Sequence, residues 1–407
     1  MQAISKTIRG IAVVCVLSVC SCAAHKQITA VTTPAVNTDL NNFKFTVEEA
    51  PEWSALFKRT SGWFGADGIF AIPQNGADQP AGKGLVTLLF SDTMIGEIEK
   101  DSLKPGYVMI HNSVAEMNRA APNQNNINFY WDKKSTGEAE SIFIPNTPKS
   151  EKEDYYWLGD GFVNRDLNNN TYLFGYRIED IKPTGTYGFT FEHVGTSIIR
   201  IPKGSKPPFK EQRQLDFPFF AIDETTKTPT AFGSGIFVNT TWANEKDADG
   251  YVYVYGTRGA GKNLVAARVL PKDFETFDAW RFWDGSGWSA DMNKLADITD
   301  HMSNELSVSR LADGRYALFF QVDGVGTTVG LRLGSSPVGP FGPIIKVFDS
   351  KDALVGKNFF TYNAKAHPAL SKPGELLVTY NVNSFDFFND IKVYPNLYRP
   401  RFIRIRY

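Results

Sequence analysis

The stretch HMSNELSVSRLADGRYALFF, residues 301–320, has the pattern of two short β-strands joined by a tight turn. The first strand alternates apolar and polar residues, the turn ADGR supplies Asp and Gly, and the second strand is strongly apolar and aromatic. Glu305 stands out, because it is a carboxylate directly before Leu306 in an otherwise uncharged part of the first strand. A channel wall explains this placement better than an exposed sheet face does.

The same two-strand unit occurs five times between residues 61 and 405, with insertions of variable length. Radial repetition of small antiparallel sheets leaves few exposed strand edges, so the repeat predicts an all-β fold, a five-bladed β-propeller over residues 51–407. A pair of β-sandwiches is the alternative all-β interpretation. The first strands of the five units are GADGIFAIP (65–73), YWLGDGFVN (156–164), AFGSGIFVN (231–239), NELSVSRLA (304–312) and YNAKAHPAL (362–370).

Composition excludes several classes of function. The chain has 407 residues and a formal net charge of −1, so no basic surface points to a nucleic-acid partner. Its three cysteines all lie within the first 22 residues, which leaves no thiol nucleophile in the mature domain. The five histidines are dispersed and predict no zinc site. We therefore expect no cofactor and no catalytic metal, although a structural calcium ion bound by oxygen ligands stays open.

The N-terminus has the features of a bacterial lipoprotein. Residues 1–22 combine a positive start, an apolar run too short to span a bilayer, and the sequence VCSC at 19–22. This pattern predicts a signal peptide with Cys22 as the lipidated residue, followed by a flexible tether over residues 23–50. An ordinary secretory signal is the alternative. The lipoprotein interpretation predicts export and anchoring to a bacterial membrane, at the outer membrane or cell surface.

The innermost strand of each propeller blade lines the central channel, so the first strands are where chemistry is expected. Three of them carry acids, namely Asp67, Asp160 and Glu305. Glycoside hydrolysis needs one acid to protonate the leaving oxygen and one carboxylate to attack or to activate water. A further acid nearby can raise a pKa by like-charge repulsion. These three residues are the predicted catalytic set, although Asp67 and Asp160, each next to glycine, also suit ordinary turns.

Further polar and aromatic residues near strand ends are predicted to contact a substrate. Aromatic rings pack against sugar faces, but the same rings also fill the space between blades. Asp92 also suits a strand end and His367 a loop hydrogen bond. The predicted substrate-binding residues are Trp63, Asp92, Arg258, Tyr362, Lys365 and His367.

The motifs GADGIFAIP…LLFSDTMIG, NELSVSRLADGRYALFF and YNAKAHPALSKPGELLVTYN resemble those of exported five-bladed propeller proteins classed as of unknown function. That group is similar to the endo-D-arabinanase family of glycoside hydrolases and, more distantly, to arabinanases and β-fructosidases. The resemblance implies a furanoside hydrolase in which Asp67 is a base or nucleophile, Glu305 lies in the family's ELSV motif and Asp160 is a third acid. The third unit departs from this pattern, because AFGSG has no acid.

The sequence thus predicts a monomeric, lipid-anchored glycoside hydrolase acting on a furanose-containing, arabinan-like polysaccharide. A carbohydrate-binding propeller without catalysis and a propeller that docks a partner protein are the alternatives. The hypotheses differ in geometry, because only hydrolysis requires the acids to converge within about 10 Å at one mouth of the channel.

Overall fold

The computed structural model describes residues 38–80, 82–119, 122–181 and 190–407. The predicted signal peptide, Cys22 and residues 23–37 of the predicted tether lie outside the described residues. None of the helices in the described part of the chain is long and apolar enough to cross a membrane.

Five antiparallel sheets follow one another along the chain, one for each predicted unit, and they confirm the five-bladed propeller. Short apolar strands separated by Gly, Asn and Asp turns favour such sheets. From the inner to the outer strand, blade 1 consists of Phe70–Pro73, Leu85–Phe90, Ser113–Asn118 and Ile127–Tyr130; blade 2 of Tyr155–Asn164, Asn170–Asp180, Phe191–Ile201 and Arg213–Phe217; blade 3 of Pro229–Asn239, Tyr251–Arg258, Asn263–Val269, Arg281–Trp283 and Trp288–Ser289, with Ala221–Ile222 paired to its first strand; blade 4 of Leu306–Arg310, Tyr316–Gln321, Thr328–Gly334 and Ile345–Asp349; and blade 5 of Phe359–Ala366, Glu375–Ser384, Arg401–Arg406 and Thr46–Glu49.

Blade 5 joins the two ends of the described chain. The outer strand Thr46–Glu49 pairs antiparallel with Arg401–Arg406, the last strand. Just before it, the Arg315 guanidinium donates hydrogen bonds to the backbone carbonyls of Asp39 at 2.6 Å and Asn42 at 2.8 Å. The end of the predicted 23–50 tether therefore belongs to the folded domain, because its backbone completes the last sheet.

Blade 1 carries an extension that the repeat does not predict. Strands Ser61–Ala66 and Thr93–Glu99 continue its first two strands into a separate sheet. Val108–Ile110 and Ser102–Leu103 pair with Thr93–Glu99 and complete it. The remaining elements are the hairpin Asp132–Lys133 and Ala139–Glu140, the α-helices Pro51–Ser54 and Phe387–Val393, and 3₁₀ turns at Ala55–Phe57, Gln124–Asn126, Thr241–Ala243, Pro271–Asp273, Phe277–Ala279, Met292–Lys294, Ser350–Ala353 and Pro368–Leu370.

Trp63 lies in the hydrophobic core beneath this extension. Only 1 % of its surface is exposed, and its ring stacks on Phe129 with centroids 4.3 Å apart and leans against Phe90 at 5.2 Å. The structure corrects the predicted substrate contact of Trp63, because a side chain enclosed by other rings has no face left for a sugar.

The inner strands share an irregularity at the depth of the predicted acids. Strand pairing is interrupted by one extra residue between Leu158 and Gly161 and between Tyr362 and Lys365, and by two between Phe232 and Gly235. In blade 1 the pairing breaks between Ala66 and Phe70. A β-bulge re-aims side chains out of the regular alternation. These interruptions turn polar side chains of several blades toward the channel.

Candidate active site

A single amide connects two of the predicted acids. The Asn363 side-chain nitrogen donates one hydrogen bond to Asp67 Oδ1 at 3.1 Å and another to Glu305 Oε1 at 2.9 Å. The two carboxylate oxygens therefore lie no more than 6.0 Å apart, the sum of these two bonds. Asp67 comes from blade 1, Glu305 from the start of blade 4 and Asn363 from blade 5, so separate parts of the sequence meet at one point.

Lys365 places a positive charge on this pair. Its ammonium contacts Glu305 Oε2, donates to the Asn363 carbonyl at 3.1 Å, and lies over the Phe70 ring at 4.7 Å from the centroid. Both side chains of the ion pair are buried, with 1 % of Lys365 and 8 % of Glu305 exposed. Burial raises the pKa of Glu305, and Lys365 opposes that shift by stabilising the carboxylate. The Lys365 ammonium and the Glu305 carboxylate are thus buried as an ion pair.

Gly68 makes room for the Glu305 carboxylate. A Cβ at this position would lie 3.1 Å from Glu305 Oε1, and its backbone has φ +68°, a conformation that side chains disfavour. The Gly68 N–H also donates to Asp67 Oδ1 at 2.5 Å. The Asp-Gly pair therefore does more than make a turn, because Asp67 supplies the acid and Gly68 allows the second acid to approach.

Asp67 has a strongly perturbed acidity. Burial, followed by the charges of Glu305 and Asp92, raises the pKa of Asp67 to about 7. Hydrogen bonds from Tyr362 and from the Gly68 N–H act in the opposite direction. Tyr362, predicted to bind substrate, therefore lies directly beside the acid, and its hydroxyl also accepts from the Asn383 amide at 3.4 Å. A carboxyl group that titrates near neutral pH is suited to proton transfer.

Asp160 is bound differently from the other two acids. Its Oδ1 accepts from the Gly161 N–H at 2.8 Å, and its Oδ2 accepts from the Ile236 N–H at 2.7 Å, so it joins the inner strands of blades 2 and 3. Burial raises the pKa of Asp160 to about 7, while Lys365 lowers it slightly. The carboxylate thus lies within the electrostatic reach of Lys365, but its hydrogen bonds hold two blades together.

Asp92 is half-buried, and its charge acts on Asp67. Its Oδ1 contacts His111 Nδ1 at 3.1 Å and accepts from Trp157 Nε1 at 3.0 Å. The His111 ring stacks on Tyr155 with centroids 3.7 Å apart. These side chains are half-buried, so Asp92 and its neighbours present polar atoms and ring faces together. His111 carried no sequence signal of its own, because its contact with Tyr155 crosses from blade 1 to blade 2.

The structure assigns two other predicted residues to different surroundings. His367 is buried, and its Nε2 lies 2.7 Å from Thr379 Oγ1. Burial and the Lys365 charge hold the pKa of His367 well below its usual value, so the ring is neutral and its predicted substrate contact is corrected. Arg258 pairs with Asp297 at 2.6 Å and donates to the Leu295 carbonyl at 2.8 Å, at the end of its strand in blade 3.

Blade 3 contributes Ser234 at the bulge, as the sequence indicated, and no carboxylate. The buried hydroxyl of Tyr176 lies near this serine, and burial together with Glu305 and Asp160 raises its pKa. Sequence reasoning missed Asn363 and Tyr176. Asn363 has φ 57°, a conformation that asparagine adopts more readily than most residues, but this feature is visible only in the structure. Within the described residues, no group of three or more His, Cys, Asp or Glu side chains is arranged to hold a metal ion.

Comparison with solved structures places the fold among known ones. A protein from Bacteroides ovatus, described provisionally as a hydrolase, has a TM-score of 0.68 at 20 % identity, covering 91 % of this chain and 93 % of that one. A GH43_1 enzyme from Xanthomonas citri complexed with xylose gives a TM-score of 0.40 at 15 % identity, with coverage of 88 % and 92 %. A GH62 hydrolase in complex with xylotriose gives 0.45 at 10 % identity, with coverage of 85 % and 92 %.

Sequence comparison gives a family but no activity. No curated protein was found to match the chain. A family model matches residues 51–407, which is the whole predicted propeller domain. The chain therefore belongs to the family described as a domain of unknown function, DUF5005.

Proposed function

We propose that this protein is a glycoside hydrolase acting on a furanose-containing, arabinan-like polysaccharide, exported and anchored to a bacterial membrane through Cys22. The observation that carries the proposal is the bridge between Asp67 and Glu305 through Asn363. Two carboxyl groups of unequal environment, less than about 10 Å apart, are what glycosidic cleavage requires. The predicted resemblance to furanoside hydrolases supplies the substrate class.

The environments of the two acids support a division of roles. Glu305 contacts Lys365, which favours its carboxylate form. Asp67 has no such counter-ion among its described contacts, and its pKa of about 7 leaves it substantially protonated at neutral pH. In this mechanism Asp67 protonates the leaving oxygen and the Glu305 carboxylate attacks the anomeric carbon. This reverses the roles that the family resemblance implied, in which Asp67 was the base or nucleophile.

The spacing of the two oxygens bears on the stereochemistry. Their separation of at most 6.0 Å lies below the ~6.5–9.5 Å of inverting enzymes and is compatible with the ~5–5.5 Å of retaining ones. In a retaining reaction Asp67, deprotonated after the first step, would accept a proton from the water that releases the sugar from Glu305. NMR of the first product released would show the anomer of the substrate.

The test is a digestion panel containing linear arabinan, D-arabinan, arabinoxylan and fructan, with unsubstituted xylan as a pyranose control. Wild type should release reducing ends from at least one furanose polymer, and Glu305→Gln and Asp67→Asn should each lower the rate by about 10² or more. Glu99→Gln is the matched control, since Glu99 is an exposed carboxylate with 57 % of its side chain accessible. Cleavage that survives Glu305→Gln would remove Glu305 from the mechanism.

Ser234 favours a second candidate, a propeller that binds glycan without cleaving it. Blade 3 has this serine where the resemblance expects an acid, and the Asn363 amide satisfies both remaining acids. Affinity electrophoresis in gels containing the same polymers separates the two candidates. Retardation without release of reducing ends would support binding alone.

A further inference from the structure

A row of aromatic rings leads from solvent to Asp67 along blade 5. Phe360 and Tyr362 lie two residues apart on the inner strand Phe359–Ala366, so both project from the same face. Both are partly exposed, whereas the alternating residues Phe359 and Thr361 are buried. The rings of Phe360 and Tyr362 have centroids 5.4 Å apart. Tyr362 in turn hydrogen-bonds to Asp67, so the row ends at the proposed acid.

Phe385 forms the outer end of this row. Its ring contacts the Phe360 ring in a tilted arrangement, with centroids 4.5 Å apart and an angle of 33° between the ring planes. Although 74 % of Phe385 is exposed, its backbone is held in place, because its N–H donates to the Asn358 carbonyl at 3.1 Å. Phe385, Phe360 and Tyr362, the aromatic track, are therefore three successive rings joined by two ring contacts.

The track differs from an ordinary exposed apolar residue. Scattered surface apolar residues are normal, but a contiguous patch next to a polar site marks a place of interaction. Nearby Phe388 is 53 % exposed and packs on Phe387 with centroids 5.3 Å apart, so it lies outside the track. Continuity with Asp67 identifies the occupant, because a ligand that reaches the acid from this side must pass over these rings.

We propose that the aromatic track is a glycan subsite, which holds polysaccharide residues beyond the sugar that is cleaved. This proposal rests on the proposed function and adds a preference for long chains. Aromatic rings offer flat apolar faces to the C–H faces of sugars, and three rings in succession match a linear polymer better than a single terminal sugar. The site would therefore bind chain interiors and act within the polymer.

The test compares Phe385→Ala and Phe360→Ala with Phe388→Ala as the matched control. Each variant is assayed on the best polymer of the panel and on 4-nitrophenyl α-L-arabinofuranoside, which is too short to extend from Asp67 to Phe360 and Phe385. Loss of one stacking contact should lower kcat/KM on the polymer about tenfold for Phe385→Ala, and more for Phe360→Ala. The rate on the small substrate and the rate of Phe388→Ala on the polymer should stay within about twofold of wild type.

Failure of the track and failure of the proposed function give different results. If wild type cleaves the polymer and Phe385→Ala equals Phe388→Ala, the track is overturned and the hydrolase stands. If nothing is cleaved but the polymer retards wild type in the gel more than Phe385→Ala, the track stands without catalysis. Equal losses of activity on both substrates would overturn the track in favour of a structural role of Phe385 and Phe360. A Phe385→Ala variant that cleaves the polymer as wild type does but no longer binds liposomes would overturn the track in favour of a membrane contact.

Discussion

Replacing Lys365 by methionine tests whether the Glu305 site is built on a buried charge pair. The two side chains are 1 % and 8 % exposed, and the ammonium contacts the carboxylate directly. Methionine retains much of the length and packing of lysine but leaves Glu305 buried without a counter-ion. Removal of one partner from a buried ion pair costs about 3–5 kcal/mol, mostly because the remaining charge is desolvated.

Protonation of Glu305 limits that cost. The carboxyl has an ordinary pKa of 4.5, so holding it neutral at pH 7 costs about 3 kcal/mol relative to the unfolded chain. The free energy of unfolding of Lys365→Met should thus be about 3 kcal/mol below wild type at pH 7. Because the folded state then binds a proton that the unfolded state lacks, the deficit should shrink by about 1.4 kcal/mol for each pH unit from 7 toward 5.

Urea unfolding followed by tryptophan fluorescence at pH 5, 6, 7 and 8 measures these differences. The double variant Lys365→Met with Glu305→Gln leaves no unpaired buried charge. Its free energy of unfolding at pH 7 should be at least about 1.5 kcal/mol higher than that of Lys365→Met. Lys346→Met is the control, because Lys346 forms an exposed pair with Asp349 and its loss should cost less than about 1 kcal/mol. If the single and double variants lose equal stability at every pH, the reasoning from a buried charge pair is refuted.

Three further predictions concern the neighbouring residues. Gly68→Ala should lower the free energy of unfolding by about 2 kcal/mol and abolish most activity, since its Cβ would press on Glu305 Oε1. Gly106→Ala is the control, because Gly106 also has a positive φ (+93°) but lies in open space, so this variant should show the backbone strain alone. Thermal unfolding compares the two variants. Asp160→Asn leaves one side-chain oxygen for two backbone N–H donors, so unfolding should become easier by about 1–3 kcal/mol, while the pH optimum of the remaining activity stays unchanged. Burial raises the pKa of Asp67 and Asp160 from 3.8 to about 7, so the folded state holds protons that the unfolded state has lost. Calorimetry should therefore find the protein more stable at pH 5 than at pH 8, and the dependence of stability on pH should be weaker in Asp67→Asn. Stability that does not change with pH would contradict the burial of these acids.

The sequence predicted the blades because each is encoded locally. A strand, a turn and an apolar strand lie within some 25 residues, as in 301–320, and repetition made the architecture recognisable. Long-range pairing was not predictable in the same way. Residues 46–49 looked like tether because nothing in their composition indicates that Arg401–Arg406 is their partner. The extension that starts at Ser61–Ala66 was missed for the same reason, since its partners lie beyond the turn that ends the blade motif.

For the site residues, strand alternation predicts a face but not a depth. It placed Glu305 toward the channel, where the structure finds it beside Asp67. It could not distinguish Trp63, enclosed by rings, from Tyr362, which is half-buried beside an acid, because both are aromatic residues close to a predicted acid or a strand end. Asn363 escaped notice because its importance arises from two hydrogen bonds to other blades.

The missing acid of blade 3 and the buried lysine of blade 5 can be understood together. Ser234 contributes no charge at its bulge, so the acid pair is formed by blades 1 and 4 instead. Two carboxyl groups enclosed so closely cannot both ionise without a cation, because their repulsion is strong in a medium of low polarity. Lys365 supplies that cation on the Glu305 side only, which makes the two acids unequal. Acid–base chemistry needs two carboxyl groups of different acidity. Here the difference between Asp67 and Glu305 arises because Lys365, on blade 5, contacts only Glu305 of the two.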